Sequence, residues 1–194
     1  MVVAVEKMGL AEFWAATENR EALYELEAGE LRQIPPESDL NQRIAIRLLA
    51  YFVQQGLPPA LLRMKTEIVV SGARATVRVP DLVVLSPEAD AALAGATRST
   101  LTLDMPPPRL VVEVVSPGKE NKNRDYRYKR SQYQSRAIDE YWIIDPTTQQ
   151  VTLLTLLDGL YEETTLAGTQ AIPSPLLTEL ATELTAAQLL GAGN

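Results

Sequence analysis

Two rhythms of apolar and polar residues run through this chain, and the switches between them mark most of its elements. Leu10 to Thr17 (Leu-Ala-Glu-Phe-Trp-Ala-Ala-Thr) predicts a short amphipathic helix. Leu23 to Glu27 and Glu30 to Ile34 alternate with period two around Ala28-Gly29, which predicts a β-hairpin that Pro35-Pro36 ends. Ser38 or Asp39 then caps a helix in which Leu40, Ile44, Leu48, Leu49 and Phe52 recur at helical spacing as far as Gly56. Strands follow at Glu67 to Val70, Ala75 to Val79 and Asp81 to Leu85. Ser86 to Pro108 mixes small and polar residues and closes on three prolines, so a loop or mobile insertion is expected there. Beyond it lie a strand (Leu110 to Val115), a turn (Ser116-Pro117-Gly118), a helix (Asn121 to Ser135) and a strand (Glu140 to Asp145). A hairpin of Gln150 to Leu156 and Tyr161 to Thr165 turns through Asp158-Gly159. The apolar tail from Pro173 returns to helical spacing, and Gly191 to Asn194 should fray.

Strand, helix and strand between Leu110 and Asp145 fit a crossover unit, and the flanking hairpins fit antiparallel additions. The expected fold class is therefore α/β with α+β character: a mixed β-sheet flanked by helices. At 194 residues the chain suits one domain, 1–194, with residues 1–20 as an amino-terminal helical extension. No internal repeat or low-complexity tract interrupts it.

Composition narrows the chemistry more than the fold. Hydrophobic residues at 46% and charged residues at 22% are ordinary globular usage, which excludes a disordered or fibrous chain. Met1 to Gly9 carries Glu6 and Lys7 where a signal peptide needs an unbroken apolar centre, and the apolar runs elsewhere are short. A cytoplasmic protein with no membrane partner is expected. The chain has no cysteine and no histidine, which removes disulfides, thiolate nucleophiles, Ser-His-Asp triads and zinc sites built on either residue. Carboxylates, Lys, Arg, Tyr, Ser and Thr remain, and hard oxygen ligands favour Mg²⁺, Mn²⁺ or Ca²⁺.

The net charge of −7 hides an asymmetry. Lys119 to Arg136 holds seven basic and two acidic residues, whereas the other 176 residues hold 11 basic and 23 acidic ones. Positive charge is thus gathered in one segment, either as a solvated helix face or as a surface that meets phosphates.

Glu113 is the residue that most needs a reason. It lies inside Leu110-Val-Val-Glu-Val-Val115, where an ionised carboxylate is costly unless a cation, a hydrogen-bond network or a metal compensates it. Asp81 opens another strand directly after Pro80, at an end where a ligand can be held without complete burial. Two carboxylates from adjacent strand ends can hold one divalent ion, and a nearby lysine can stabilise developing negative charge. Each residue has a plainer reading: Asp81 as a strand terminator, Glu113 as half of a buried ion pair, and a lysine on the following helix as a surface partner of Asp125. Tyr141-Trp142 reads as core packing, Asp145-Pro146 as a strand end, and Ser116-Pro117 as a turn rather than a nucleophile, since no histidine base exists.

Pro80-Asp81, Glu113-Val-Val-Ser-Pro117, Asp125 to Lys129 with Tyr133, and Glu140-Tyr-Trp-Ile-Ile-Asp-Pro146 resemble the Uma-type family of putative restriction endonucleases in the PD-(D/E)xK nuclease superfamily. The hairpin Tyr24-Glu-Leu-Glu-Ala-Gly-Glu30 is similar to that family's amino-terminal signature, so the resemblance spans about residues 8 to 190. It implies a restriction-endonuclease-like core, with Asp81 and Glu113 as metal ligands. The superfamily pattern places a lysine two residues after the glutamate, where this chain has Val115. Lys129 on the next helix is the best match to a displaced lysine, and Asp125, Lys129 and Tyr133, four apart, share its stripe. Glu30 is carried as an additional metal ligand. The family often has a histidine near the start of the long helix; Leu40-Asn41-Gln42 has none.

The expected activity is Mg²⁺- or Mn²⁺-dependent endonucleolytic hydrolysis of DNA phosphodiester bonds. Asp81, Glu113 and Lys129 would be catalytic, Asp81, Glu113 and Glu30 metal-binding, and Lys119, Lys122, Arg124, Arg127 and Arg130 would contact phosphates. Homodimerisation suits an enzyme that cuts two strands. Two alternatives stand beside it. One is a non-catalytic nucleic-acid-binding or regulatory module on a nuclease scaffold, which Val115 and the acidic overall charge favour. The other is an oligomeric structural protein with Glu113 locked in an inert pair.

Overall fold

The computed structural model of the chain describes residues 7–72, 74–118 and 123–191. Its elements run α1 (Leu10–Thr17), β1 (Tyr24–Glu27), β2 (Glu30–Gln33), α2 (Asp39–Gln54), a 3-10 turn (Pro59–Leu61), β3 (Leu62–Arg63), β4 (Glu67–Val70), β5 (Thr76–Arg78) and β6 (Leu82–Val84). They continue with α3 (Pro87–Ala92), β7 (Thr100–Leu101), β8 (Leu110–Val114), a π-helical turn (Arg124–Lys129) that runs into α4 (Arg130–Ser135), β9 (Glu140–Asp145), β10 (Gln150–Leu157) and β11 (Leu160–Ala167). Two short helices, α5 (Pro175–Glu179) and α6 (Ala186–Leu190), close the chain.

The strands form two mixed sheets. One has the order β2-β1-β5-β4-β7, the other β11-β10-β9-β8-β6-β3. β8 and β9 are parallel, as the crossover expected between Leu110 and Asp145 requires, and β6 is antiparallel to β8.

Alternation along the strands sorts the core into layers. Leu82, Val84, Val112, Trp142 and Ile144 face α2 and the carboxy-terminal helices, where Ile44, Leu48, Phe52 and Leu189 meet them. Val83, Val111, Val115, Tyr141 and Ile143 face the other way, against Tyr133 of α4 and against Ile68 and Leu101 of the five-stranded sheet. That sheet turns its remaining face, with Leu26, Val69 and Val77, onto Phe13 of α1. The six-stranded sheet is therefore covered on both faces, which explains why its central strands read as unbroken apolar runs.

Local signals act as the sequence suggests at most junctions. Ala28 (φ 49°) and Gly29 (φ 82°) make a two-residue turn with both residues left-handed, the form that suits a twisted hairpin. Ser38 caps α2 by accepting from the Asn41 backbone N–H.

The segment expected to be a loop or mobile insertion is instead partly ordered into α3 and β7. Ser86 accepts the Ala89 N–H and Pro87 opens the helix. Ala89, Leu93 and Leu101 are buried in the second cluster, so tertiary burial organises a stretch whose composition looks loop-like. Among the described residues no helix is long and apolar enough to cross a membrane.

Candidate active site

The strand register brings the two sequence-predicted carboxylates together. Leu82 pairs with Val112, so one step further along the antiparallel ladder sets Asp81 opposite Glu113. Asp81 Oδ2 accepts the Val114 backbone N–H at 2.6 Å, which ties the end of β6 to β8. Both residues line a cleft of about 720 Å³.

Glu113 shares its strand face with Val111 and Val115, the face that the π-helical turn and α4 cover. From that turn Lys129 reaches down, with Nζ 2.7 Å from Glu113 Oε1. Tyr133, one turn on, donates its hydroxyl to the same oxygen at 2.9 Å. The ammonium thus arrives on the face from which a side chain at position 115 would project. Val115 itself is 1% exposed and belongs to the core. Asp125 also turns inward, 3.4 Å from Lys129 Nζ. A π turn is wider than an α turn, and here the wider turn offsets the drift of an i, i+4 stripe, so that Asp125, Lys129 and Tyr133 are all buried.

The hairpin supplies a carboxylate that the sequence did not single out. In β1, Leu26 faces α1 and its neighbours Glu25 and Glu27 face the opposite way. Leu26 pairs with Val77, which places Glu25 beside Arg78 of β5. Arg78 is fully buried and donates to Glu25 Oε2 (3.0 Å), Glu27 Oε1 (3.4 Å) and Gln132 Oε1 (2.9 Å). Glu25 Oε1 accepts the Val79 N–H at 3.1 Å and lies 3.7 Å from Lys129 Nζ. The acidic-apolar-acidic alternation of Glu25-Leu26-Glu27 against Val77-Arg78 carried this signal, but the cross-strand partner comes only from the register.

The predicted site residues are not all in one place. Asp81, Glu113, Lys129 and Arg124 line the cleft. Glu30 is not brought to it: it sits near the hairpin turn, exposed, in ion pairs with Lys7 and Arg32. Arg130 is half-buried and pairs with Glu163, while Arg127 is exposed. Lys119 and Lys122 lie outside the described residues. Asn41 stands near the start of α2, where the sequence lacks a histidine, and its side-chain amide donates to the Val114 carbonyl at 3.3 Å.

Crowding sets the protonation of the cluster. Burial pushes the Glu113 carboxyl up to about 8; Lys129 opposes the shift, and the neighbouring Asp81, Asp125 and Glu25 carboxylates reinforce it. Burial, with Glu37 beside it, likewise raises Asp81 to about 7. Burial would raise Glu25 too, but Lys129 and Arg78 outweigh it and hold this carboxyl below its ordinary value. Burial alone would lower Lys129; Glu113, Glu25 and Asp125 prevail and keep the ammonium above its ordinary value, so it stays charged.

The donor set therefore suits a hard divalent cation. Asp81 and Glu113 offer carboxylate oxygens, and a cation between them would relieve the repulsion that helps raise Glu113. Among the described residues no group of three or more acidic side chains is arranged to hold an ion. Mg²⁺ is commonly held by one or two carboxylates, with waters and phosphate oxygens completing its shell, and Asp81 and Glu113 are two carboxylates lining one cleft.

A family model described as Uma2, putative restriction endonuclease, matches residues 10–187. Among solved structures, the chain is similar to the crystal structure of a putative nuclease belonging to DUF820 from Anabaena variabilis, with a TM-score of 0.71 and 16% identity. The match covers 95% of this chain and 98% of that one, and shows a shared fold. None of the curated proteins matches the chain.

Proposed function

The chain belongs to the Uma2 family, and on that premise we propose that it is a divalent-metal-dependent endonuclease hydrolysing DNA phosphodiester bonds at the Asp81–Glu113–Lys129 cleft. The observation that carries this reading is the 2.7 Å contact of Lys129 with Glu113 in a cleft that Asp81 also lines. A helix-borne ammonium there compensates for the missing lysine at Val115.

Asp81 and Glu113 would hold a Mg²⁺ or Mn²⁺ ion, which when bound polarises a phosphate oxygen and acidifies a water. Hydrolysis forms one bond from the water oxygen to phosphorus and breaks the bond from phosphorus to the leaving sugar oxygen, which takes up a proton. Lys129, kept cationic by its three carboxylate neighbours, is an electrostatic and orienting group rather than a proton acceptor. It stabilises charge growing on the phosphate and positions the attacking water. The Val114 N–H and Tyr133 hydroxyl fix the two carboxylates from behind. Arg124 at the cleft, with Arg127 and Arg130 on the same segment and Lys119 and Lys122 preceding it, would meet the phosphates of the strand.

An inert ion pair would need Glu113 closed off with no cavity beside Asp81. The pair is present, but so is the cleft, which favours the enzyme. The non-catalytic module draws on Val115 packed in the core. Titration with Mn²⁺ separates the two: binding lost in Asp81→Asn, together with cleavage of plasmid or oligonucleotide DNA, supports the enzyme. Salt-sensitive DNA binding indifferent to metal, with no cleavage under any divalent ion, supports the module.

A further inference from the structure

The rim of the cleft differs in chemistry from its floor. The floor holds buried charges, among them Glu25, Glu113 and Lys129, whereas the more exposed lining adds Ile34, Pro35, Pro36 and Tyr128 to the polar Arg32, Gln33 and Glu37. Tyr128 is 57% exposed, in a turn whose neighbours Asp125 and Lys129 are buried. It also stands among cations: Arg124 lines the same cleft and Arg127, adjacent in sequence, is exposed. An exposed ring interleaved with basic residues has the makings of a stacking platform beside a phosphate track. The cleft volume falls within the roughly 300–1,000 Å³ typical of small-ligand pockets, which admits a nucleotide but not the body of a duplex.

Resting on the nuclease reading above, we propose that Tyr128 stacks on a nucleobase and that the cleft takes an unpaired DNA strand, so that Tyr128 determines strandedness rather than chemistry. The ring gives every base a π-face to lie on, which makes the contact tolerant of sequence. A paired base is already stacked in its helix and gains nothing from the ring. The phosphate that follows the stacked base then descends toward Asp81 and Glu113.

The test is binding, measured by fluorescence anisotropy with Ca²⁺ present, of a labelled 12-nucleotide oligothymidylate and of a duplex of the same length. Wild-type protein should prefer the single strand, and Tyr128→Ala should weaken that binding by about 5- to 150-fold while changing duplex binding less than about twofold. Tyr128→Phe should bind like wild type. An oligonucleotide carrying one abasic position, moved along the strand, should show one position where wild type loses affinity and Tyr128→Ala loses no more. Equal binding of single strand and duplex, unchanged binding by Tyr128→Ala, or a loss in Tyr128→Phe as large as in Tyr128→Ala overturns the assignment and leaves the nuclease reading standing. Wild-type protein that binds neither form of DNA overturns both.

Discussion

Lys129 Nζ lies 2.7 Å from Glu113 Oε1, joining a helical turn to β8, a central strand of the six-stranded sheet, at the face a lysine at position 115 would occupy. The contact ties the catalytic proposal to the core, because Lys129 and Glu113 are as buried as the apolar residues around them. Charge at this point has both chemical and structural consequences, and substitutions can separate the two.

Glu113→Gln and Asp81→Asn keep the shape of the carboxyl groups and remove their charge. Each should lower Mg²⁺-dependent DNA cleavage by roughly 10²–10³-fold or more, as the loss of a main electrostatic group at an active site does. Thermal unfolding at pH 8 without metal should be unchanged or shifted upward, since the substitution relieves carboxylate repulsion. Wild-type cleavage rates in either variant would remove that residue from the site.

The pH dependence follows from the raised carboxyls. Asp81 and Glu113 titrate near 7 and 8 in the folded protein, above the 3.8 and 4.5 of ordinary Asp and Glu. A group whose pKa rises on folding stabilises the protein fully below its unfolded value, and loses that contribution as pH climbs through the folded value. The metal-free protein should therefore lose stability from about pH 4 to about pH 8 and level off above that. Metal binding needs both groups ionised, so Mn²⁺ affinity should increase over the same range and the metal should raise Tm more at pH 9 than at pH 6. Calorimetry at several pH values checks both slopes, and a metal-free Tm that rises with pH in this window contradicts the assignment.

Much of this arrangement is legible in the sequence because it depends on period-two alternation and local spacing. The burial of Glu113 follows from its β-branched neighbours, and the shared stripe of Asp125, Lys129 and Tyr133 from their spacing, whereas its inward direction depends on the wider turn. What was not legible depends on register between distant segments. Glu25 enters the cluster only because Leu26 pairs with Val77: the alternation of Glu25-Leu26-Glu27 gives its face, but not the partner across the sheet. The ordering of Pro87–Ala92 likewise comes from burial of Ala89 and Leu93 against a distant cluster, which outweighs a loop-like composition.

Glu140 illustrates a buried acid with a different purpose. Its carboxylate accepts from Trp142 Nε1 at 3.1 Å, Ser174 Oγ at 2.6 Å and the Leu176 N–H at 2.7 Å, fastening the start of α5 to β9. Glu140→Ala leaves these donors unsatisfied at a cost of about 1–3 kcal/mol each at most, and should lower Tm by several degrees or more. Cleavage per folded molecule should be unchanged, because the residue faces the cluster opposite the cleft. A selective loss of activity with normal Tm would contradict this structural role.

Lys129 is where stability and chemistry must be measured together. Lys129→Met retains much of the stem but leaves Glu25, Glu113 and Asp125 without their common cation, and removing one partner of a buried pair costs about 3–5 kcal/mol. Lost activity in that variant alone could reflect unfolding. At pH 9, where Glu113 beside Lys129 is ionised, adding Glu113→Gln relieves the carboxyl that has lost its cation, so the double variant should be more stable than Lys129→Met, with a coupling of about 1–3 kcal/mol in the cycle. Cleavage should nevertheless stay absent, since neither the ligand nor the ammonium is restored. Chemical denaturation of the four proteins, read beside their Mg²⁺-dependent cleavage, gives both quantities. Additive stabilities would mean that the two groups do not interact across the cleft floor, and activity in the Lys129→Met protein would mean that the helix-borne lysine is dispensable.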